Sequence, residues 1–474
     1  MSQSIEVPTL HVSLDDTLSR IGDGWFQTRL TWVCGLGFSA AAVEIVLTGF
    51  AFTELRGVWS LSEHELSVVP MLVGIGSILG ELCWGPIADY FGRARVFLAT
   101  TIVVCVFGIA SAMAPDIWWF TVLRTLVGFG YGGNISVDYA LFSEFLPLET
   151  RGLSLFKMAF FWPLGQFVTC LLAMHVIPYF GWRWFVAACA CPAICTAFLR
   201  PFIPESPRWL LLHGQPAAAT EVCKHIAEVN GRSLKEVGLT EGVQVSLKEG
   251  EALQPQSLSR SFAETSRLFS PALLSTTMGA ILFTVALNGA GYGVSTLMPT
   301  LLELKGIEQG AMYETMVVNT LAQFPGIALG LALGIAIGRL IPLRLALVGI
   351  TCSLCLFAFA TTKAHVVLAT SLCNLFLESG WSLIHVYLPE VYPTELRATA
   401  IGANSAIASI LTFFVPLIAA HILDAQAHDG THGAWGTIVF FTVFGLLGIM
   451  GAFVCLDIET KDRDLEDRMS KRKI

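Results

Sequence analysis

Twelve apolar runs, each near twenty residues, recur through this chain of 474 residues, and they constrain its fold more than any other feature. A hydrocarbon core ~30 Å thick is crossed by roughly 20 apolar residues in a helix. Lipid offers backbone amides no partner, so runs of this length must be helical. Spans are predicted at Leu30–Phe52, Val68–Tyr90, Val96–Ala114, Trp118–Ser143, Leu153–Ile177 and Trp184–Phe202. Six more follow at Leu273–Leu302, Met312–Ile337, Leu343–Thr361, Val366–Leu388, Ala398–Leu423 and Ala434–Leu456. Only 14% of the residues are charged and the mean hydropathy is +0.67, against about 25% charged in soluble domains. These figures exclude a soluble domain, a disordered chain and a disulfide scaffold. The expected architecture is an all-α integral membrane protein of twelve helices.

The chain divides into five segments. Residues 1–29 are polar and lack the basic start and apolar core of a signal peptide, so they are predicted to stay in the cytoplasm. Residues 30–202 and 271–456 each hold six spans. Residues 203–270 form a cytoplasmic linker, in which Pro216–Asn230 starts with Pro, continues with good helix formers, and is predicted to be an amphipathic helix. Residues 457–474 are a cytoplasmic tail. With the N-terminus inside, 23 of the 28 Lys and Arg fall on the cytoplasmic side. Arg56, Arg183, Lys305 and Lys363 lie outside, and Arg124 lies within a span. That asymmetry follows the positive-inside pattern and places both termini in the cytoplasm.

The twelve cysteines fall almost wholly inside apolar runs and no loop carries a CxxC pair, so neither a metal site nor a disulfide framework is expected. No basic face for nucleic acid is visible. HExxH, GxSxG and GxxxxGKS are absent from the sequence, which argues against an enzyme or an ATP-driven pump. No cofactor is expected.

An internal repeat sharpens the architecture. Glu144-Phe-Leu-Pro147-Leu-Glu149-Thr-Arg151 matches Glu390-Val-Tyr-Pro393-Thr-Glu395-Leu-Arg397, 246 residues later. The same offset carries Gly92-Arg93 onto Gly338-Arg339. A duplication into two parallel six-span halves explains both matches.

On these residues a family resemblance rests. Gly85-Pro-Ile-Ala-Asp89-Tyr-Phe-Gly92-Arg93-Ala-Arg95 resembles the loop signature of the major facilitator superfamily. Pro204-Glu-Ser-Pro-Arg208-Trp-Leu and Ile458-Glu-Thr-Lys461 resemble motifs of its sugar-porter and organic-ion-transporter branch. Arg124 with Gly128, Gly132 and Gly133, followed by Asp138-Tyr-Ala-Leu-Phe-Ser-Glu144, is similar to the synaptic-vesicle-protein-like subgroup. Thr320-Leu-Ala-Gln-Phe-Pro-Gly326 and Pro389-Glu-Val-Tyr-Pro-Thr394 resemble the nicotinate permeases of that subgroup. The second-half loop lacks the acid: Ile335 stands where Asp89 would repeat.

Charges inside a bilayer are costly and are candidates for the mechanism. At 1.5 Å per residue, Glu44 lies ~21 Å from the cytoplasmic end of the first span and Arg124 ~9 Å from the outer end of the fourth. In a core of ~30 Å these depths coincide, so the two can pair. Proton-coupled sugar porters resemble this in using a first-span carboxylate and a fourth-span Arg as a switch. The pair is either that switch or a static ion pair. Glu378, in the tenth span, is a candidate for cation or proton binding, or else a solvated acid facing a cavity. His385, two turns on, is read as structural rather than as a proton relay. Asp138 is expected to gate, to bond locally, or to touch substrate. Asn288 and Tyr292, beside Gly289, Gly291 and Gly293, either form a moving gate on the substrate or serve glycine-mediated packing. Trp162, Gln166, Gln323, Asn374, Trp381 and Tyr387 are further candidates for a cavity wall.

At the cytoplasmic face the resemblance implies a breakable ionic gate. Glu144 would meet Arg397, Glu390 would meet Arg151, Arg93 and Arg339 would join them, and Asp89 would cap a helix across the interface. The expected function is secondary active transport of a small organic solute, nicotinate-like organic acid or organic ion, by alternating access with proton coupling. A sugar or polyol porter is the alternative, and a non-transporting receptor or vesicle protein on the same fold is the alternative of another class. The partners expected are the solute, protons and the lipid of a plasma or vesicle membrane, with the chain as a monomer.

Overall fold

A computed structural model describes residues 10–240, 242–247, 266–292, 296–392, 397–428, 435–456 and 458–459; Tyr292 and Arg397 are described in their backbone alone. Among the described residues, eleven helical stretches are long and apolar enough to cross a membrane. A further helix of 27 residues, Ile117–Ser143, makes the twelfth.

The first bundle holds α2 (Trp25–Trp59), α3 (Glu63–Phe91), α4 (Arg93–Ser111) and α5 (Ile117–Ser143). Its last two crossings are each broken once, into α6 (Arg151–Ala159) with α7 (Phe161–Phe180), and α8 (Trp182–Cys189) with α9 (Cys191–Leu199). Its loops carry the capping groups that long apolar helices need at their ends. Ser62 and Glu65 form a reciprocal capping box at α3, and Asp116 accepts from the amides of Trp118 and Trp119 at α5 (2.9 and 3.0 Å).

The linker forms α10 (Pro207–Leu212), α11 (Pro216–Val229), which matches the expected amphipathic helix, and α12 (Leu234–Val237). It also contributes a strand, β2 (Val243–Ser246), which pairs in parallel with β1 (Leu10–Ser13) ahead of the short α1 (Leu14–Ile21). Neither strand was expected. The contact is tightened where Asp15 accepts from Arg208 at 2.8 Å and where Asn230 accepts from the Phe26 amide at the start of α2 (2.9 Å).

The second bundle holds α13 (Leu274–Tyr292), α14 (Met298–Leu304), α15 (Gln309–Ile337), α16 (Leu340–Phe359) and α17 (Lys363–Val391). It closes with α18 (Arg397–Thr412), α19 (Val415–His428) and α20 (Trp435–Met450).

Two seams of glycine hold the bundles. A β-carbon on Gly76 or Gly80 of α3 would collide with carbonyl oxygens of Thr125 or Phe129 of α5, and one on Gly128 or Gly132 would strike the carbonyls of Val73 or Ser77. Backbones this close gain dispersion contacts that lipid cannot replace. The second bundle repeats the contact at the offset of 246, where Gly326 of α15 faces the carbonyl of Leu375 in α17. The halves meet where α7 packs on α15, α3 on α19, and α2 on α14.

Candidate functional site

Glu44 of α2 and Arg124 of α5 sit inside the first bundle, 2% and 0% exposed. Arg124 Nη1 donates to Glu44 Oε2 at 2.5 Å and its Nη2 to the Glu44 carbonyl at 2.9 Å. Thr48, one turn on, donates to the same carbonyl at 3.0 Å. Charge-assisted bonds of this kind are the strong ones, and they offset part of the cost of burial.

At the centre the halves are joined by amides. Gln323 Nε2 of α15 donates to Gln166 Oε1 of α7 at 2.7 Å and to Asn374 Oδ1 of α17 at 2.8 Å. Gln323 Oε1 is buried and has no hydrogen-bond partner. That leaves one acceptor for a polar solute in a ring otherwise satisfied. Toward the face that carries Arg93 and Arg339, here the inner face, aromatic groups cross between the halves. Trp162 lies 4.8 Å from Phe38, Phe38 lies 5.2 Å from Tyr139, and Tyr139 stacks on His385 at 6.1 Å. His385 stacks in turn on Trp381 at 5.6 Å. Trp162, Tyr139 and Trp381 are half-buried and His385 is exposed, so these rings border an opening.

Beside the ion pair lies a cavity of about 210 Å³ lined by α2, α3, α5, α13 and α18. Thr48 reaches it, as do Asn288, Tyr131 and Glu81. Glu81 lies in the middle of α3 and accepts only a long bond from Ser77 (3.4 Å). The sequence reading passed it over, although the cost of an acid within a span singles it out as it did Glu44.

Asp138 does not face the opening: it is fully buried against Gly37 of α2. Both its oxygens lack a hydrogen-bond partner, and the helical face that carries it turns into the bundle. Asp89 is exposed and accepts from Arg93 one turn on at 3.2 Å; among the described residues it caps no helix. The capping carboxylate is Glu205, which accepts from the amides of Ala94 (2.9 Å) and Ser206 (3.0 Å). Glu459 does the same in the second half, accepting from Arg339 (2.9 Å) and Leu340 (3.1 Å). Gly92 and Gly338 precede these helices with φ of 105° and 95°, which only glycine adopts without strain, and a β-carbon on either would press on the capping carboxylate.

Among the described residues, Arg93 and Arg339 each pair with an acid of their own half. Arg93 Nε lies 3.0 Å from Glu144, and Arg339 Nη2 lies 3.0 Å from Glu390. Arg151 donates to the Leu146 carbonyl at 3.4 Å. The side chains of Arg397 and Tyr292, and residues 393–396, lie outside the described residues. Burial pushes the Glu144 carboxyl up, against the pull of Arg93. At the opposite end the halves touch directly: Gln309 donates to Glu54 at 2.9 Å, and Arg56 lies 3.7 Å from Glu303. Glu378 is 7% exposed, on α17 one turn before Trp381 and two turns before His385.

Two six-helix bundles that meet at a polar centre, with a buried acid–base pair in one of them, define a multi-pass membrane transporter of the major facilitator class. Residues 36–469 match the family described as sugar (and other) transporter, and the chain belongs to that family. The niacin transporter NiaP of Acinetobacter baylyi is 30% identical over 95% of this chain and 99% of its own length. Organic cation/carnitine transporter 7 of Arabidopsis thaliana is 27% identical over 97% of both. The synaptic vesicle 2-related protein of Rattus norvegicus is 30% identical over 96% of this chain and 82% of its own. Among solved structures, a partially occluded inward-open form of the xylose transporter XylE from E. coli superposes with a TM-score of 0.71. It covers 93% of this chain and 100% of its own at 17% identity, and so shares the fold.

Proposed function

We propose that this chain carries a small polar organic solute across its membrane by alternating access, coupled to protons through Glu44 and Arg124. The observation that carries this reading is the fully buried Glu44–Arg124 pair. With Glu44 ionised, Arg124 is held by two bonds. With Glu44 protonated, Arg124 keeps only a neutral carbonyl, and α2 and α5 are freed to shift. Because Thr48 shares that carbonyl and also lines the cavity, the state of the pair reaches the space where a solute would sit. The amide ring of Gln166, Gln323 and Asn374 and the rings of Trp162 and Trp381 are the proposed wall of the solute path. Contacts at the α2–α14 end and an opening toward the inner face correspond to one of two alternating states. The niacin and organic cation relatives favour an organic acid or organic ion over a sugar.

The test is uptake into proteoliposomes with and without a pH gradient, using nicotinate, choline, a hexose and an aromatic acid. An imposed gradient is expected to drive accumulation of at least one of them. Glu44→Gln is expected to abolish accumulation while leaving solute exchange. Transport that ignores the gradient, or a Glu44→Gln variant that still accumulates solute, would remove the coupling.

A further inference from the structure

Glu81 is an acid in mid-membrane with no ion pair among the described residues; Ser77, on its own helix, is its hydrogen-bond partner. Its setting is rigid. Gly80, beside it, is pressed on the Phe129 carbonyl, and Gly132, beside Tyr131, is pressed on the Ser77 carbonyl, so the walls bearing Glu81 and Tyr131 are fixed backbone to backbone. Across the cavity of about 210 Å³ stand the Asn288 amide of α13 and the Phe413 ring in the turn after α18, both from the other half. One acid with no ion pair among the described residues, two aromatic rings and neutral donors and acceptors form a lining of definite chemistry, in which a bound cation would hold Glu81 ionised. An anion would be repelled by Glu81. A neutral solute would leave the carboxylate uncompensated. An ammonium group gains both the carboxylate and the ring faces. The volume suits a small ion rather than a drug-sized molecule.

We propose that this cavity binds a small organic cation, a quaternary or protonated amine, with Glu81 as its counter-charge and Tyr131 and Phe413 as its aromatic walls. As a solute site it rests on the transport reading above. Because α2, α3 and α5 supply one wall and α13 and α18 the other, an occupant touches both halves and its binding is sensitive to their relative motion.

The test is equilibrium binding of radiolabelled choline to the full chain in lipid nanodiscs, competed by tetramethylammonium and by 3,3-dimethylbutan-1-ol, the uncharged isostere of choline. Saturable binding is expected, displaced by tetramethylammonium and not by the alcohol. Glu81→Gln is expected to weaken it about tenfold or more, as loss of a charge-assisted contact does, while Glu81→Asp, which keeps the charge, retains it more fully. Thermal unfolding of both variants checks that they fold. Absence of saturable binding by the unaltered chain, equal displacement by the alcohol, or wild-type affinity in a folded Glu81→Gln would each overturn the cation site. Gradient-driven uptake of another solute without choline binding would leave the transport reading standing and remove this site. Choline binding without uptake of any solute would do the reverse.

Discussion

Arg93 and Glu144 pair at 3.0 Å, and 246 residues later Arg339 and Glu390 pair at the same distance. Each arginine opens or immediately precedes a helix whose first amides are held by a second carboxylate, Glu205 or Glu459. The duplicated halves thus keep a matched three-part lock of arginine, pairing acid and capping acid at the inner face.

Of these acids the caps matter more to stability. Glu390 is 32% exposed, so its pair with Arg339 contributes roughly 0.2–1 kcal/mol. A lost capping carboxylate costs about 1–2 kcal/mol. Glu205→Ala and Glu459→Ala are therefore expected to lower the unfolding midpoint more than Glu390→Ala, measured by thermal unfolding in detergent.

Glu144 makes stability pH-dependent. Its carboxyl is raised by burial, so the folded chain binds a proton more readily than the unfolded one. The contribution of this group is then fully present below the ordinary carboxylate pKa and is lost as pH rises through its raised value. Glu144→Gln is expected to flatten that fall, read as the difference in unfolding midpoint between mildly acidic and alkaline buffer.

Breaking the buried pair from one side leaves an uncompensated charge. Arg124→Gln is expected to destabilise by about 3–5 kcal/mol, whereas Glu44→Gln with Arg124→Gln together lose less than the sum of the two single changes. A double-mutant cycle on unfolding midpoints shows this as non-additivity; additive losses would mean that the two groups do not act together.

Gln323 is expected to act on solute as well as on folding, since its oxygen has no partner while its nitrogen holds two buried acceptors. Gln323→Leu should raise the KM for the transported solute about tenfold, the scale of a lost hydrogen bond in a buried site, and should also lower the unfolding midpoint, because the Gln166 and Asn374 oxygens lose their donor.

The glycine seams are predicted to be intolerant. Gly80→Ala and Gly326→Ala place a β-carbon on a carbonyl oxygen and are expected to cost about 1–3 kcal/mol each. Gly402→Ala, which meets nothing within 4 Å, is the control that should remain near wild type in the same unfolding assay.

Much of this was legible in the residues. Depth arithmetic on two helices brought Glu44 and Arg124 together, and the 246-residue repeat marked Arg93, Arg339, Glu144 and Glu390 as equivalent positions, though not which arginine each acid holds. Glu205 was not legible as a cap, because it reaches the Ala94 amide across 111 residues and no local motif states where a loop folds back. Asp138 shows the limit of depth alone. Its height in the span is clear from counting, but whether its side faces a cavity or a neighbouring helix depends on how α5 is rotated. The strand pair was hidden for a similar reason, since four residues on each side carry little periodicity.

That strand pair has a consequence for synthesis. β1 leaves the ribosome before the first membrane helix, while its partner β2 follows only after six crossings have been made. At about 5–20 residues per second the wait is roughly 10–50 s. During that time the leading strand has an unsatisfied edge, and it can settle only once the first bundle and its linker exist. Completion of this small sheet therefore marks, for the nascent chain, that its first half is ready to receive the second.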